Sequence, residues 1–292
     1  MLKNLKGKSD SWKRRLPLTK NSRQPSTELP DHPVISLLTD FGTRDPYLGI
    51  LKGVILSINR SATLVDISHD IEPSAVGTAA FFLQQSIPYF PPSSIHVAIV
   101  DPSVGSRRRA LLIETDFGYF IGPDNGIFSL VLKGFKVINC FEIANKKLRL
   151  PHPSSTFHGR DIFAPAAAYL SLGLSPQVFG PKVSLSSPKK VEQIGIKFDQ
   201  QGGYGHILHV DHFGNLITTI PGEFYEKLTI IEFHKTSLSK KVKTFSDLNI
   251  SEPGILIGSS GYIEIVANQN SAASICHLNT GDPVRFYFAN NG

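Results

Sequence analysis

The first clustered apolar pattern is Val34-Ile35-Ser36-Leu37-Leu38, a short apolar run that ends at Thr39-Asp40-Phe41-Gly42. A run of this length bounded by turn residues predicts a buried strand. Residues 45–58 carry Leu48, Leu51, Ile55 and Ile58 at helical spacing, and Pro46 suits a first helical turn. Residues 63–67 predict a second strand, ending at Ser68-His69-Asp70, and residues 74–86 a second helix that stops before Pro88. Residues 95–100, Ile-His-Val-Ala-Ile-Val, predict a third strand buried on both faces. This βαβαβ order implies a parallel sheet with right-handed crossovers.

Further strands are predicted at 110–115, 118–122 and 136–142, with a turn at Pro123-Asp124-Asn125-Gly126 and a short helix at 127–133. Residues 144–157 read as irregular and 161–172 as an Ala-rich helix. From about residue 186 the texture changes to short apolar runs between Gly and Asn turns, at 205–210, 215–220, 228–234, 255–258, 262–267 and 283–288. Long helical periods are absent there, which predicts a barrel or sandwich. Gly202-Gly203-Tyr204-Gly205 reads as a loop of the linker and not as a dinucleotide fingerprint. The expected fold is an α/β N-terminal domain with a mainly parallel central sheet, followed by a smaller all-β, barrel-like C-terminal domain. The expected boundaries are a tail at 1–30 and domains at 31–185 and 186–292.

Charge changes this picture at one end only. The first 30 residues hold eight Lys or Arg against two acids, the whole of the net +6, and the remainder is balanced. Nucleic-acid binding by the folded part is therefore not expected. The tail has no regular apolar period and no signal-peptide core, and is expected to be a disordered, solvated extension. A transit or anionic-surface role is the other reading of it. No apolar run reaches the ~18 residues of a membrane span. Two cysteines, Cys140 and Cys276, cannot build a disulfide framework and suit a reduced, cytoplasmic setting.

Candidate chemistry gathers at strand ends. Walker A, HExxH, GxSxG and CxxC motifs are absent. Asp40, His69-Asp70 and Asp101 each follow a predicted strand, where open α/β sheets bind ligands. Asp101 is followed by Arg107-Arg108-Arg109 across a tight turn, and a carboxylate and a guanidinium seven residues apart can meet there. At most one or two of the three arginines should face inward. Asp101 can equally be a turn-capping residue, and His158 a polar residue before a helix, a base or a metal ligand. Single Asp and His residues at strand ends also admit a metal hydrolase, although close-spaced ligand pairs are lacking apart from His69-Asp70.

The ordered set Thr39-Asp40-Phe41-Gly42, Asp45-Pro46-Tyr47, Lys52-Gly53, Val65-Asp66-Ile67-Ser68-His69, Pro88-Tyr89-Phe90-Pro91, Asp101-Pro102-Ser103-Val104-Gly105, Pro123-Asp124-Asn125-Gly126, Ser155-Thr156-Phe157-His158-Gly159-Arg160-Asp161 and Asp211-His212-Phe213-Gly214-Asn215 resembles the S-adenosyl-L-methionine hydroxide adenosyltransferases. These are hydrolases related to the fluorinase and chlorinase. The resemblance spans about residues 33–288. It implies a homotrimer, with S-adenosyl-L-methionine (SAM) between the N-terminal domain of one subunit and the C-terminal domain of the next. It further implies a water-binding set at Asp101, Arg108 and His158 and a ribose-binding acid at Asp40. Contacts to methionine and adenine are implied around Asp211, Asn215, Ser259 and Glu264, with backbone near Ala267 facing adenine. No metal or organic cofactor is implied.

Where the halogenases look to have Tyr, Thr, Tyr and Ser, this chain has Asp101, Val104, His158 and Gly159. A carboxylate repels a halide but accepts a hydrogen bond from water. The resemblance therefore implies in-line attack of water on C5′ of SAM, with Asp101 accepting a hydrogen bond, Arg108 holding Asp101, and His158 orienting the water or taking its proton. Ser103 stands where relatives often have Gly, and would strain the turn if that position needed positive φ. The alternatives are a halogenase of the same fold, a non-catalytic SAM or adenosine sensor, and a metal hydrolase.

Overall fold

The computed structural model describes residues 32–184 and 195–289. The expected tail and the expected boundary at 185/186 lie outside the described residues. Contacts divide the chain into two units, Met1–Val191 and Glu192–Gly292.

In the first unit the strands are β1 (Val34–Thr39), β2 (Thr63–Ser68), β3 (Ile95–Ile99), β4 (Ala110–Thr115), β5 (Tyr119–Pro123) and β6 (Val137–Glu142). They form one sheet in the order β2-β1-β3-β5-β4-β6, in which β2, β1, β3 and β5 pair parallel and β4 runs against β5 and β6. The helices are α1 (Tyr47–Ile58), α2 (Val76–Ser86) and α3 (Ala164–Ser171). Strand residues alternate between two cores because successive side chains face opposite sides of the sheet. Ile35, Leu37, Val97 and Ile99 pack with Leu51 and Ile55 of α1 and with the alanines of α3. Leu38, Ala98 and Val100 pack with Ala79 and Leu83 of α2. The small side chains of α3, with Ala164, Ala166, Ala167 and Ala168 all at 0% exposure, let it lie close against the sheet.

Strand β1 lies between β2 and β3, so the chain leaves it toward opposite sides through successive crossovers. That makes the adjoining carboxyl ends of β1 and β3, aligned at Thr39 and Ile99, the switch point of the sheet. The expected helix at 127–133 is instead a turn followed by a single 3-10 turn, Val131–Lys133. Its apolar residues Ile127, Phe128 and Val131 are buried in the α2-side core without completing a helical face.

The second unit has strands β7 (Lys197–Phe198), β8 (Gly202–Val210), β9 (Leu216–Pro221), β10 (Leu228–Phe233), β11 (Thr236–Leu238), β12 (Pro253–Ile257) and β13 (Tyr262–Ala267), a short helix α4 (Ala272–Cys276), and β14 (Pro283–Phe288). The sheet order is β11-β10-β14-β8-β9-β13-β12, with β7 on β8. It curls into a nearly closed barrel: the segment after β11 bonds to β12 through Val242 N–H to Ile255 O at 2.9 Å and Ile255 N–H to Lys240 O at 2.8 Å. Gly202-Gly203-Tyr204-Gly205 is part of β8 and not a linker loop. A Cβ on Gly202 would fall 2.0 Å from Phe286 O, and one on Gly203 2.5 Å from Lys197 O. The glycines therefore permit close approach of β14 and β7.

One buried group makes the first unit acid-sensitive. His96 on β3 is fully buried between Phe90 and Phe120, with Nδ1 2.8 Å from Ser36 Oγ. Burial pushes its pKa down to about 3. The unfolded chain takes up a proton near pH 6.5 and the folded chain does not, so stability is full above that pH and falls as the pH drops toward 3. The melting temperature is expected to fall continuously from pH 7 to pH 4, and less steeply in His96→Leu. Parallel slopes for the two proteins would contradict this.

Candidate active site

The switch point brings two carboxylates to one sheet edge. Asp40 follows β1 and Asp101 follows β3. Burial raises the pKa of Asp40, with a smaller contribution from the charge of Asp101. The backbone N–H of Ser74 donates to Asp40 Oδ2 at 3.1 Å, and Ser74 has φ +70°. A serine in the left-handed region is uncommon and marks a loop held by its surroundings.

The turn opened by Asp101 takes its left-handed residue at Gly105, with φ +79°, and not at Ser103. A Cβ on Gly105 would fall 2.6 Å from Ser155 O, so only glycine seats this turn against the segment that leads to His158. Ser103 is unstrained, and its Oγ donates to Asp101 Oδ1 at 3.2 Å.

Arg108 links the remaining parts. Its Nε donates to Asp101 Oδ2 at 2.7 Å, and its Nη2 lies 2.5 Å from the same oxygen. The two side chains are 4% and 5% exposed, so the pair is nearly desolvated and its charge-assisted bonds are strong. Nη2 also donates to His158 Nδ1 at 2.8 Å. The guanidinium stands 5.3 Å from the centroid of Phe163. Arg109 turns away to Asp124, and Arg107 is exposed.

His158 precedes a π-helical turn, Gly159–Phe163, that runs into α3. Such turns are rare and often occur at functional sites. Asp161 in this turn is buried. Its carboxylate takes Arg160 Nε at 2.6 Å and the backbone N–H of Ser154 at 2.7 Å, tying the 154–158 approach to the helix.

Burial lowers the pKa of His158, and the positive charge of Arg108 lowers it further, against a weaker opposing effect of Asp101. The ring is therefore neutral at pH 7. A guanidinium has donors only, so Nδ1 accepts and the proton sits on Nε2. This changes the part expected of His158: its remaining nitrogen donates a hydrogen bond and has no lone pair to take a proton.

A second chain of polar groups braces the loop of Asp40. Thr39 Oγ1 is 2.8 Å from His69 Nδ1, His69 Nε2 is 3.1 Å from Asp66 Oδ1, and Lys52 Nζ donates to Asp66 Oδ2 at 2.6 Å. Gly42 N–H donates to His69 O at 2.8 Å. Thr39 is fully buried, so this Thr-His-Asp series serves structure and not nucleophilic attack. Sequence reading passed over the aromatic wall of Phe41, Tyr47 and Phe157, whose rings meet edge to face at 5.3–6.3 Å. Its signal was the recurrence of aromatics one residue from Asp40 and from His158.

In the second unit, Asp211 spends its carboxylate on the β8–β9 turn. Oδ1 accepts from Phe213 N–H at 2.9 Å and Asn215 N–H at 2.8 Å, and Oδ2 accepts from Asn215 Nδ2 at 2.8 Å. It thereby orients Asn215, which is buried, and leaves Phe213 at the turn tip 76% exposed. Glu264 on β13 is also buried, with Ser260 Oγ donating to it at 3.3 Å. Burial raises its pKa, and the charge of Asp211 adds to this. Asp211 and Asn215 thus lie in the β8–β9 turn, Glu264 stands opposite Ile217 on β9, and Ser259 is exposed in the β12–β13 turn, beside the other end of β9. Ala267 packs its methyl in the barrel core, leaving backbone as its means of contact.

Among the described residues, no group of three His, Cys, Asp or Glu is placed to hold a metal ion, and no helix is long and apolar enough to cross a membrane.

Family models described as the SAM hydroxide adenosyltransferase N-terminal and C-terminal domains match residues 35–180 and 205–285. A protein of Methanocaldococcus jannaschii named (R)-S-adenosyl-L-methionine hydrolase is 34% identical over 271 residues, covering 87% of this chain and 96% of its own length. The Thermus thermophilus protein of the same name is 34% identical over 262 residues, covering 86% and 98%. A fluorinase of Actinoplanes is more distant, at 26% identity over 292 residues, covering 86% and 96%. A crystal structure of a conserved protein from Thermotoga maritima superposes with a TM-score of 0.79 at 33% identity, covering 87% of this chain and 99% of that one.

Proposed function

The chain belongs to the SAM hydroxide adenosyltransferase family and is a SAM hydrolase, and we propose that it holds its attacking water on Asp101, Arg108 and His158. The observation that carries this reading is the chain from the nearly desolvated Asp101–Arg108 pair to half-buried His158, which leaves a lone pair on Asp101 Oδ1 beside its bond from Ser103 Oγ, and a donor on His158 Nε2.

The sulfonium of SAM makes C5′ electrophilic and methionine a neutral leaving group. Arg108 engages Asp101 Oδ2, so Oδ1, which takes one bond from Ser103 Oγ and keeps a second lone pair, is the oxygen that accepts from water. His158 Nε2–H donates to the same water. One lone pair of the water is then free to point at C5′, and positioning of this kind removes much of the entropic barrier. The C5′–O bond forms as the C5′–S pair withdraws to sulfur. The surplus proton passes to Asp101 and on to solvent. Charge is neutralised along this path, so desolvation of the pair favours it. A halide in place of the water would meet the Asp101 carboxylate and be repelled.

Asp40 is the group proposed for the ribose hydroxyls. Asp211, Asn215, Ser259, Glu264 and the backbone at Ala267 are proposed for the methionine and adenine portions. The reading uses no metal or organic cofactor, no nucleic acid and no membrane. It places the enzyme in the cytoplasm as a homotrimer, with SAM between the N-terminal domain of one subunit and the C-terminal domain of the next. The two cysteines suit that compartment: both are buried, and burial pushes each thiol up to about 11, where it is unreactive.

Incubation with SAM in ¹⁸O-water is expected to give L-methionine and adenosine carrying one heavy oxygen at the 5′ position. Chromatography with mass detection reads both products. Methylthioadenosine, a halogenated deoxyadenosine, or unlabelled adenosine would refute the reaction.

A further inference from the structure

We propose that the turn Pro123-Asp124-Asn125-Gly126 is a clamp that sets the catalytic turn, with Asn125 and the Arg109–Asp124 pair as positioning residues. This rests on the assignment of Asp101, Arg108 and His158 above. The catalytic turn leaves β3 at Val100 and enters β4 at Ala110, and its two stems are gripped by two neighbouring residues of the clamp, Asn125 and Asp124. On the first stem, Asn125 Nδ2 donates to Val100 O at 2.7 Å, one residue before Asp101. Asn125 Oδ1 takes Ile127 N–H at 3.2 Å, so two partners of opposite kind fix the amide's orientation. On the second stem, Asp124 N–H donates to Arg109 O at 3.0 Å. The Asp124 carboxylate, 4% exposed, takes Arg109 Nε at 2.9 Å and Nη2 at 2.5 Å. Arg108 and Arg109 thus aim at carboxylates on opposite sides of the stem. Holding Arg109 outward is what directs Arg108 inward to Asp101 and His158.

A turn that only closed the β4–β5 pairing would affect stability alone. A clamp has a separate signature at His158. The charged and titratable groups acting on His158 are Arg108, Asp101, Arg149 and Asp161. Arg108 opposes protonation of the ring, so a loosened turn that lets Arg108 withdraw makes the ring easier to protonate. A protonated ring has no Nδ1 acceptor for Arg108, and the water site is lost. The acidic limb of kcat should then move to higher pH.

The test measures kcat and KM for SAM against pH in Asn125→Ala, Asn125→Asp and Arg109→Lys. Asn59→Ala serves as control, since it removes a buried bond to Ser171 Oγ elsewhere in the unit. Asn125→Ala is expected to lower kcat about 10-fold with KM nearly unchanged, and to raise the acidic limb. Asn125→Asp turns a donor into an acceptor facing the Val100 carbonyl and should lose more. Arg109→Lys keeps the charge without the fork and should fall between wild type and Asn125→Ala. A wild-type pH profile in Arg109→Lys and in the folded Asn125 variants would overturn the clamp, as would an equal shift in Asn59→Ala. Loss of turnover in Asp101→Asn beside a wild-type profile in Asn125→Ala would sink the clamp alone. Full turnover in Asp101→Asn would sink the site assignment and the clamp together.

Discussion

Asp101→Asn is expected to lower kcat for SAM by about 10²–10⁴-fold, the range of a lost acid–base group, with a much smaller change in KM. The amide keeps the shape of the carboxylate, and its oxygen can still accept from Arg108. What disappears is the anionic oxygen proposed to face the water and receive its proton. Arg108, 4% exposed, is left without its counter-charge, so folding must be checked beside turnover. Steady-state kinetics on protein shown by circular dichroism to be folded makes the measurement. A variant retaining more than about a tenth of wild-type kcat would remove Asp101 from the chemistry.

Phe163→Ala is expected to destabilise the first unit by about 3–5 kcal/mol, the range for removing a large buried aromatic. Phe163 is fully buried in the core shared by α1, α3 and the sheet, and its ring lies beneath the guanidinium of Arg108. The cavity would therefore open directly under the residue that joins Asp101 to His158. Scanning calorimetry should show the transition of this unit lowered by roughly 10 °C, given 2–4 °C per kcal/mol for a domain of this size. Turnover at temperatures where the variant is still folded should also fall. A melting temperature within a degree or two of wild type would mean that the core collapses to fill the space.

Much of the N-terminal fold could be read in advance because its sheet is buried on both faces. The run at 95–100 has no exposed position to blur its pattern, and acids placed just after such runs had to lie at the ligand-binding edge. Asp40 and Asp101 were visible for that reason. The three arginines were not separable by their own chemistry, since identical guanidinia differ only in where the turn aims them. Choosing Arg108 drew on resemblance, and its bonds to Asp101 and His158 show what the choice depends on. Gly202-Gly203-Tyr204-Gly205 misled because glycine normally marks loops, whereas here it makes room for neighbouring strands at 2.0–2.5 Å from a missing Cβ. Ile127, Phe128 and Val131 read as a helix because burial alone can imitate a helical period. The tautomer of His158 was beyond sequence altogether, because it is set by a partner 50 positions away.

The π-helical turn between His158 and α3 has a consequence for comparing this chain with its relatives. Helix α3 is locked in register by alanines with no exposure, so its face cannot rotate. Each residue turns the chain by about 100° in an α-helix and by less in a π-helical turn. The direction of the imidazole is therefore fixed by how many residues separate position 158 from position 164, and not only by which residues they are. In an alignment, a one-residue gap within that interval would put a different side chain against Arg108, even with every flanking motif intact.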